Sequence, residues 1–192
     1  MLMKNFLKRL EYFDEKEIDT VIERSTLKLV PAKTQLFMAG QPFLKLWYIE
    51  KGMVRAYRIV EGKDFTFFFF PARNFASDYQ SFLTEQESPL FFESLTEVQY
   101  REFSKSTIQY LYKSNPRYEH LGRIMAERAY LSATDRLKQF QTEPLEERYR
   151  KLLQQAPELF QQIPQYHIAS YLGVSPQSLS RIRSKPSNTK QG

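Results

Sequence analysis

The 192-residue chain has no cysteine, and that absence alone removes disulfides, thiolate zinc sites, iron–sulfur clusters and a cysteine nucleophile. Histidine is nearly missing: His120 and His167 are the only two, too few for a histidine-rich metal centre. Long apolar runs are missing as well. None approaches the roughly 20 residues of a membrane-spanning helix, and the longest, Phe65–Phe70, is strand-sized. The opening stretch turns acidic by Glu11 and has no small-residue cleavage site, so it does not read as a signal peptide. A cytoplasmic protein with no membrane partner is expected. Charge is unevenly spread along the chain. Residues 160–192 hold four Lys and Arg and no Asp or Glu, whereas residues 1–116 and 117–159 are each balanced to within one charge. A segment with only basic charge suits a phosphate-facing surface.

What is present is aromatic. Sixteen Phe and twelve Tyr supply a sizeable core, and the balance of apolar to charged residues suits a globular chain. Phe6, Leu7, Leu10 and Phe13 lie at helical spacing and predict a helix over Lys4–Phe13. Asp14 and Glu17 have the acceptor–x–x–Glu form of a capping box, with Ile18, Val21 and Ile22 behind it.

From Thr26 the period becomes two. Leu27 and Leu29 alternate with Lys28, Leu36-Phe37-Met38 ends at a Gly-Gln-Pro turn, and Leu44–Glu50 and Met53–Val60 flank Lys51-Gly52. Phe65–Phe70 reads as a strand buried on both faces. Glu97–Glu102 alternates, with Val98 and Tyr100 inward and Glu97, Gln99 and Arg101 outward. Many short strands predict an all-β roll, sandwich or barrel. Beyond Ser104 the chain reads as helical: Ser104–Lys113, a long amphipathic helix over Pro116–Gln141, Leu145–Gln155, Glu158–Gln162, Pro164–Leu172 and Pro176–Ser184.

The last two helices resemble a helix-turn-helix. Ile168, Ala169 and Leu172 form a compact face on the first helix, and Gly173 ends it where left-handed backbone is needed. Val174 plugs the corner. Ser175 caps the second helix and Pro176 takes its first position. Leu179 and Ile182 face back. That leaves Gln177, Ser178, Ser180, Arg181 and Arg183 free for the major groove, since Gln can bond adenine twice and Arg can bond guanine or phosphate. Gln177 and Arg181, four apart, are the expected base readers. Arg183 and Lys185 are expected on phosphate.

With this segment, Phe37-Met38-Ala39-Gly40-Gln41 and Leu46–Tyr57, nearly the whole chain resembles the cyclic AMP receptor and fumarate–nitrate regulator (Crp/Fnr) family of bacterial transcription factors. The resemblance implies an α+β fold. It comprises a cyclic-nucleotide-binding-like β-roll (a double-stranded β-helix) over residues 1–115, a dimerisation helix over 116–141 and a helix-turn-helix domain over 142–192. It also implies double-stranded DNA, a second copy of the chain and RNA polymerase as partners. The helix stripe itself argues for a dimer. Leu121, Ile124, Met125, Ala129 and Leu131 are more than one roll can cover, with Tyr118, Arg128, Ser132 and Asp135 at the border.

The resemblance places the family's ligand cassette over Asn74–Leu90, with Ser77, Asp78, Tyr79 and Ser88 as its site residues. Family members hold the ribose with a Glu and the cyclic phosphate with an Arg. Here Asp78 falls near the first position and Ser88 on the second, and no Lys or Arg lies between Asn74 and Arg101. Without a guanidinium fork the phosphate loses its main charge-assisted partner. Ordinary cyclic AMP binding is therefore not expected, and no cofactor is assigned. No nucleophile–base pair, Gly-rich phosphate loop or histidine in the roll marks an enzyme. The alternative is a β-roll sensor or interaction protein without DNA binding.

Overall fold

The computed structural model describes residues 2–10 and 12–184, with every side chain in them except that of Glu158. The N-terminal helix α1, Leu2–Arg9, is shorter than its periodicity predicts. α2, Glu15–Glu23, begins at the expected capping box: Asp14 accepts from Glu17 N at 2.8 Å, and Asp14 N donates to Glu17 Oε2 at 2.9 Å.

Ten strands follow, interrupted by one helix. They are β1 (Thr26–Val30), β2 (Gln35–Phe37), β3 (Gln41–Pro42), β4 (Lys45–Lys51), β5 (Met53–Val60), β6 (Lys63–Pro71), β7 (Phe75–Ala76), then α3 (Tyr79–Thr84), then β8 (Glu87–Ser88), β9 (Phe91–Ser94) and β10 (Val98–Ser104). All pairings are antiparallel. The orders β1-β10-β4-β7 and β2-β9-β5-β6 make two facing sheets, and β3 pairs with β8. Gly52 turns the chain between β4 and β5 at φ +87°, where a Cβ would lie 2.1 Å from Glu97 O. Only glycine fits that backbone and that gap.

Phe43, Trp47, Ile49, Val54, Phe92 and Tyr100 fill the space between the sheets. Phe43 stacks on Phe92 at 4.7 Å and meets Trp47 edge-on at 4.9 Å. The other face of the first sheet is covered by the helices. Tyr48 and Phe103 pack there against Met3, Leu7, Ile18 and Val21.

Arg101, expected outward, is therefore buried. Its strand face lies under α1 and α2, where its Nε meets Glu50 at 2.9 Å. Leu2 N donates to the other oxygen of Glu50 at 2.6 Å. In β1 the leucines take the solvent side, with Leu27 48% and Leu29 65% exposed, while Lys28 reaches Glu102 at 2.8 Å.

β6 corrects a second expectation. Phe65, Phe67 and Phe68 are exposed rather than buried on both faces. The strand ends its sheet and has a single strand neighbour, β5.

α4 (Lys105–Ser114), capped by Ser104, leads into α5 (Pro116–Thr142). Tyr118 ties the start of α5 to the roll by donating to Glu17 O at 2.9 Å. α6 (Leu145–Gln155), α7 (Pro157–Gln162), α8 (Gln165–Leu172) and α9 (Pro176–Ser184) complete the C-terminal unit. A third core joins Leu159, Ile163, Ile168, Ala169, Leu172 and Leu179 to Met53 of the roll. No described helix is long and apolar enough to cross a membrane.

Candidate nucleic-acid interface

α8 and α9 form the corner that the residue types require. Gly173 has φ +73°, and its N–H returns to Ala169 O and Ser170 O. Val174 N also donates to Ala169 O, at 3.0 Å. Ser175 Oγ accepts from Ser178 N at 3.2 Å, and Pro176 opens α9, where its missing N–H costs nothing. Ile168, Ala169, Leu172 and Leu179 are buried.

The opposite face of α9 is polar and open. Gln177, Ser180, Arg181 and Arg183 are exposed, and among the described residues neither arginine makes an ion pair. Ser178 differs from its expected role. It is half-buried, and its hydroxyl lies 3.0 Å from that of Ser175, so it supports the cap. Lys185 lies outside the described residues.

The cassette residues are brought together, but onto one another. Ser88 Oγ donates to Asp78 Oδ2 at 2.6 Å, and Ser81 N donates to Asp78 Oδ1 at 3.3 Å. Ser88 also accepts from Leu90 N. Both carboxylate oxygens are thus engaged. Ser77 turns away to Lys45 O at 3.0 Å, and Tyr79 is exposed beside Phe82. A cation does reach α3: Lys105 of α4 bonds Phe82 O and pairs with Glu85 at 2.9 Å. It caps the C-terminal end of that helix, away from Asp78.

On α5, Leu121 and Tyr118 pack on the roll. Ile124 and Met125 are half-covered, and Arg128, Leu131 and Ser132 are exposed. Leu121, Ile124, Arg128 and Leu131 follow one another at spacings of three and four, as along a single seam.

Sequence reasoning missed the residues that seat the C-terminal unit on the roll. Ser170 Oγ accepts from Thr66 N at 2.8 Å and donates to Asp64 O at 3.2 Å. Arg136 donates to Phe67 O and to Tyr171 O and stacks 4.0 Å from the Tyr171 ring. His167 is buried beside Arg55 and Asp64. The hydrogen-bonded partners are 35 to 106 positions apart along the chain, and no local pattern announces them.

No family model and no curated protein matches the chain. Solved structures do. The c-di-GMP-responsive global regulator CLP of Xanthomonas campestris is 16% identical, with 88% of this chain and 89% of that one covered and a TM-score of 0.70. FixK2 of Bradyrhizobium japonicum is 16% identical, with 83% of each chain covered and a TM-score of 0.70. A Eubacterium rectale protein described as a Crp/Fnr-family transcriptional regulator is 13% identical, with 90% and 85% covered and a TM-score of 0.66. The fold is therefore that of the Crp/Fnr regulators.

Proposed function

We propose that this chain is a dimeric, sequence-specific DNA-binding transcriptional regulator of the Crp/Fnr type and not an enzyme. The observation that carries the reading is the division of α9. Its apolar face is locked into the corner by Leu179, while Gln177, Ser180, Arg181 and Arg183 stand exposed, on a segment that contains no acid. Two such helices related by a two-fold axis would enter successive major grooves, so the operator is a palindrome with half-sites about one helical turn apart. Gln177 and Arg181 read bases. Arg183 and Lys185 hold phosphate, and RNA polymerase is the further partner of a bound dimer.

The roll acts without ordinary cyclic AMP. Asp78 and Ser88 satisfy each other, and aromatic rings occupy the space between the sheets.

Gel shifts with genomic fragments test the DNA reading, and Arg181→Ala refines it. The variant should lose roughly 1–3 kcal/mol of operator affinity and relax preference at one base position, with an unchanged thermal melt. A drop in melting temperature large enough to account for the lost binding would assign Arg181 to the fold instead.

A further inference from the structure

Arg136 and Arg148 line a cleft between α5, α6 and the end of α8, with Gln139, Phe140, Gln155 and Tyr171 as neighbours. The Phe140 ring lies 5.5 Å from the Arg136 guanidinium and 4.3 Å from that of Arg148. One aromatic side chain thus carries two like charges. Their hydrogen bonds go to carbonyl oxygens: Arg136 to Phe67 and Tyr171, Arg148 to Leu172 at 3.0 Å. Among the described residues neither has a carboxylate within ion-pair distance. Arg148 Nε is buried without a partner. Burial holds Arg136 below its ordinary pKa, and the charge of Arg148 pushes the same way.

Arg136 and Arg148 are half-buried, whereas the two fully buried arginines among the described residues, Arg55 and Arg101, are neutralised. Arg55 has Glu93 at 2.5 Å and Asp64 at 2.8 Å, and Arg101 has Glu50. Guanidinium groups withdrawn from water without a counter-charge are costly, and two side by side repel. Capping the end of α8 uses few of the five N–H donors that each carries.

We propose that this cleft binds a small oxyanion of the phosphate class, held between Arg136 and Arg148. Their planar donor forks match oxyanion geometry. The carboxamides of Gln139 and Gln155 supply neutral donors, and the Phe140 and Tyr171 rings line the cleft. Because Arg136 already joins α5, α8 and β6, an occupant would tighten the seat of the C-terminal unit on the roll.

Thermal melts of the full chain in sodium phosphate and in sodium chloride of equal ionic strength test this, with calorimetric titration of inorganic phosphate alongside. Phosphate should give a saturable heat and raise the melting temperature by roughly 3–6 °C at about ten times its dissociation constant. Chloride should not. Arg148→Gln should lose the phosphate-specific rise. Gln139→Glu supplies an internal carboxylate, so it should melt higher in chloride and also lose the rise. This second variant separates a lost site from a lost fold. Absence of saturable heat, or the same phosphate response in wild type and both variants, would overturn the site. So would a response confined to DNA complexes, seen as a lower salt slope for Arg148→Gln without any phosphate effect on the free protein, because the arginines would then hold a DNA backbone phosphate. The melts contain no DNA, so their failure leaves the DNA-binding reading untouched.

Discussion

His167 is buried in the roll–helix junction with Nδ1 unpartnered. Burial first, and the charge of Arg55 second, push its pKa down to about 4 from an ordinary 6.5, while Asp64 opposes them. The folded protein therefore keeps it neutral, whereas the unfolded chain takes up a proton as pH falls through about 6.5. The unfolded state binds more protons in that window, so stability rises with pH there. It is fully present above about pH 6.5, and roughly 2–3 kcal/mol is lost as pH falls towards 4. Urea unfolding at pH 7 and pH 4.5 should show a smaller loss for His167→Gln than for wild type. Equal losses would place the sensitivity elsewhere. Asp78 and Ser88 carry a different expectation at the same scale. With the carboxylate engaged by Ser88 and Ser81, calorimetric titration of cyclic AMP should give no micromolar binding. A micromolar or tighter constant would mean that backbone groups replace the guanidinium.

β6 shows how an element is decided by its neighbours. An edge strand leaves a row of N–H and C=O groups unpaired, an invitation to strand addition. Here side chains cover that row: Ser170 takes Thr66 N and Asp64 O, and Arg136 takes Phe67 O. Ser170→Ala should cost about 1 kcal/mol and speed hydrogen exchange at the Thr66 amide, with the exchange at Val54 in the central strand β5 unchanged. Equal acceleration at both amides would indicate global destabilisation. α9 is the opposite case, since its cap, first proline and buried Leu179 are all local features, and the observed helix, Pro176–Ser184, has the bounds that its sequence predicts.

For the whole molecule, the exposed face of α5 bears on assembly. It is anchored at Tyr118, yet Leu131 and Leu137 are 59% and 58% exposed. A 27-residue helix with that much bare leucine is expected to pair with its copy along Leu121, Ile124, Arg128 and Leu131. Sedimentation at micromolar concentration should give twice the 22.9 kDa chain mass. Leu131→Glu should shift it towards the monomer and weaken operator binding while leaving far-ultraviolet circular dichroism unchanged. A monomeric wild type would refute the pairing.

Elements specified by neighbours a few positions away were legible in the chain alone. The α2 capping box, the Gly52 turn, the length of α5 and the helix-turn-helix corner all rest on caps, turn residues and periodicity, which act over one or two turns. Tertiary contact decided the rest. Arg101 and Glu50 could be buried only because α1 and α2 close over one face of the first sheet, and an alternating strand does not say whether its polar face is covered. Phe65, Phe67 and Phe68 look like core in sequence, yet they lie on an edge because strand order, not composition, sets how many neighbours a strand has. Ser170, Arg136 and Arg148 gained their roles when the C-terminal unit met the roll, across separations that no pattern of three, four or two residues can encode.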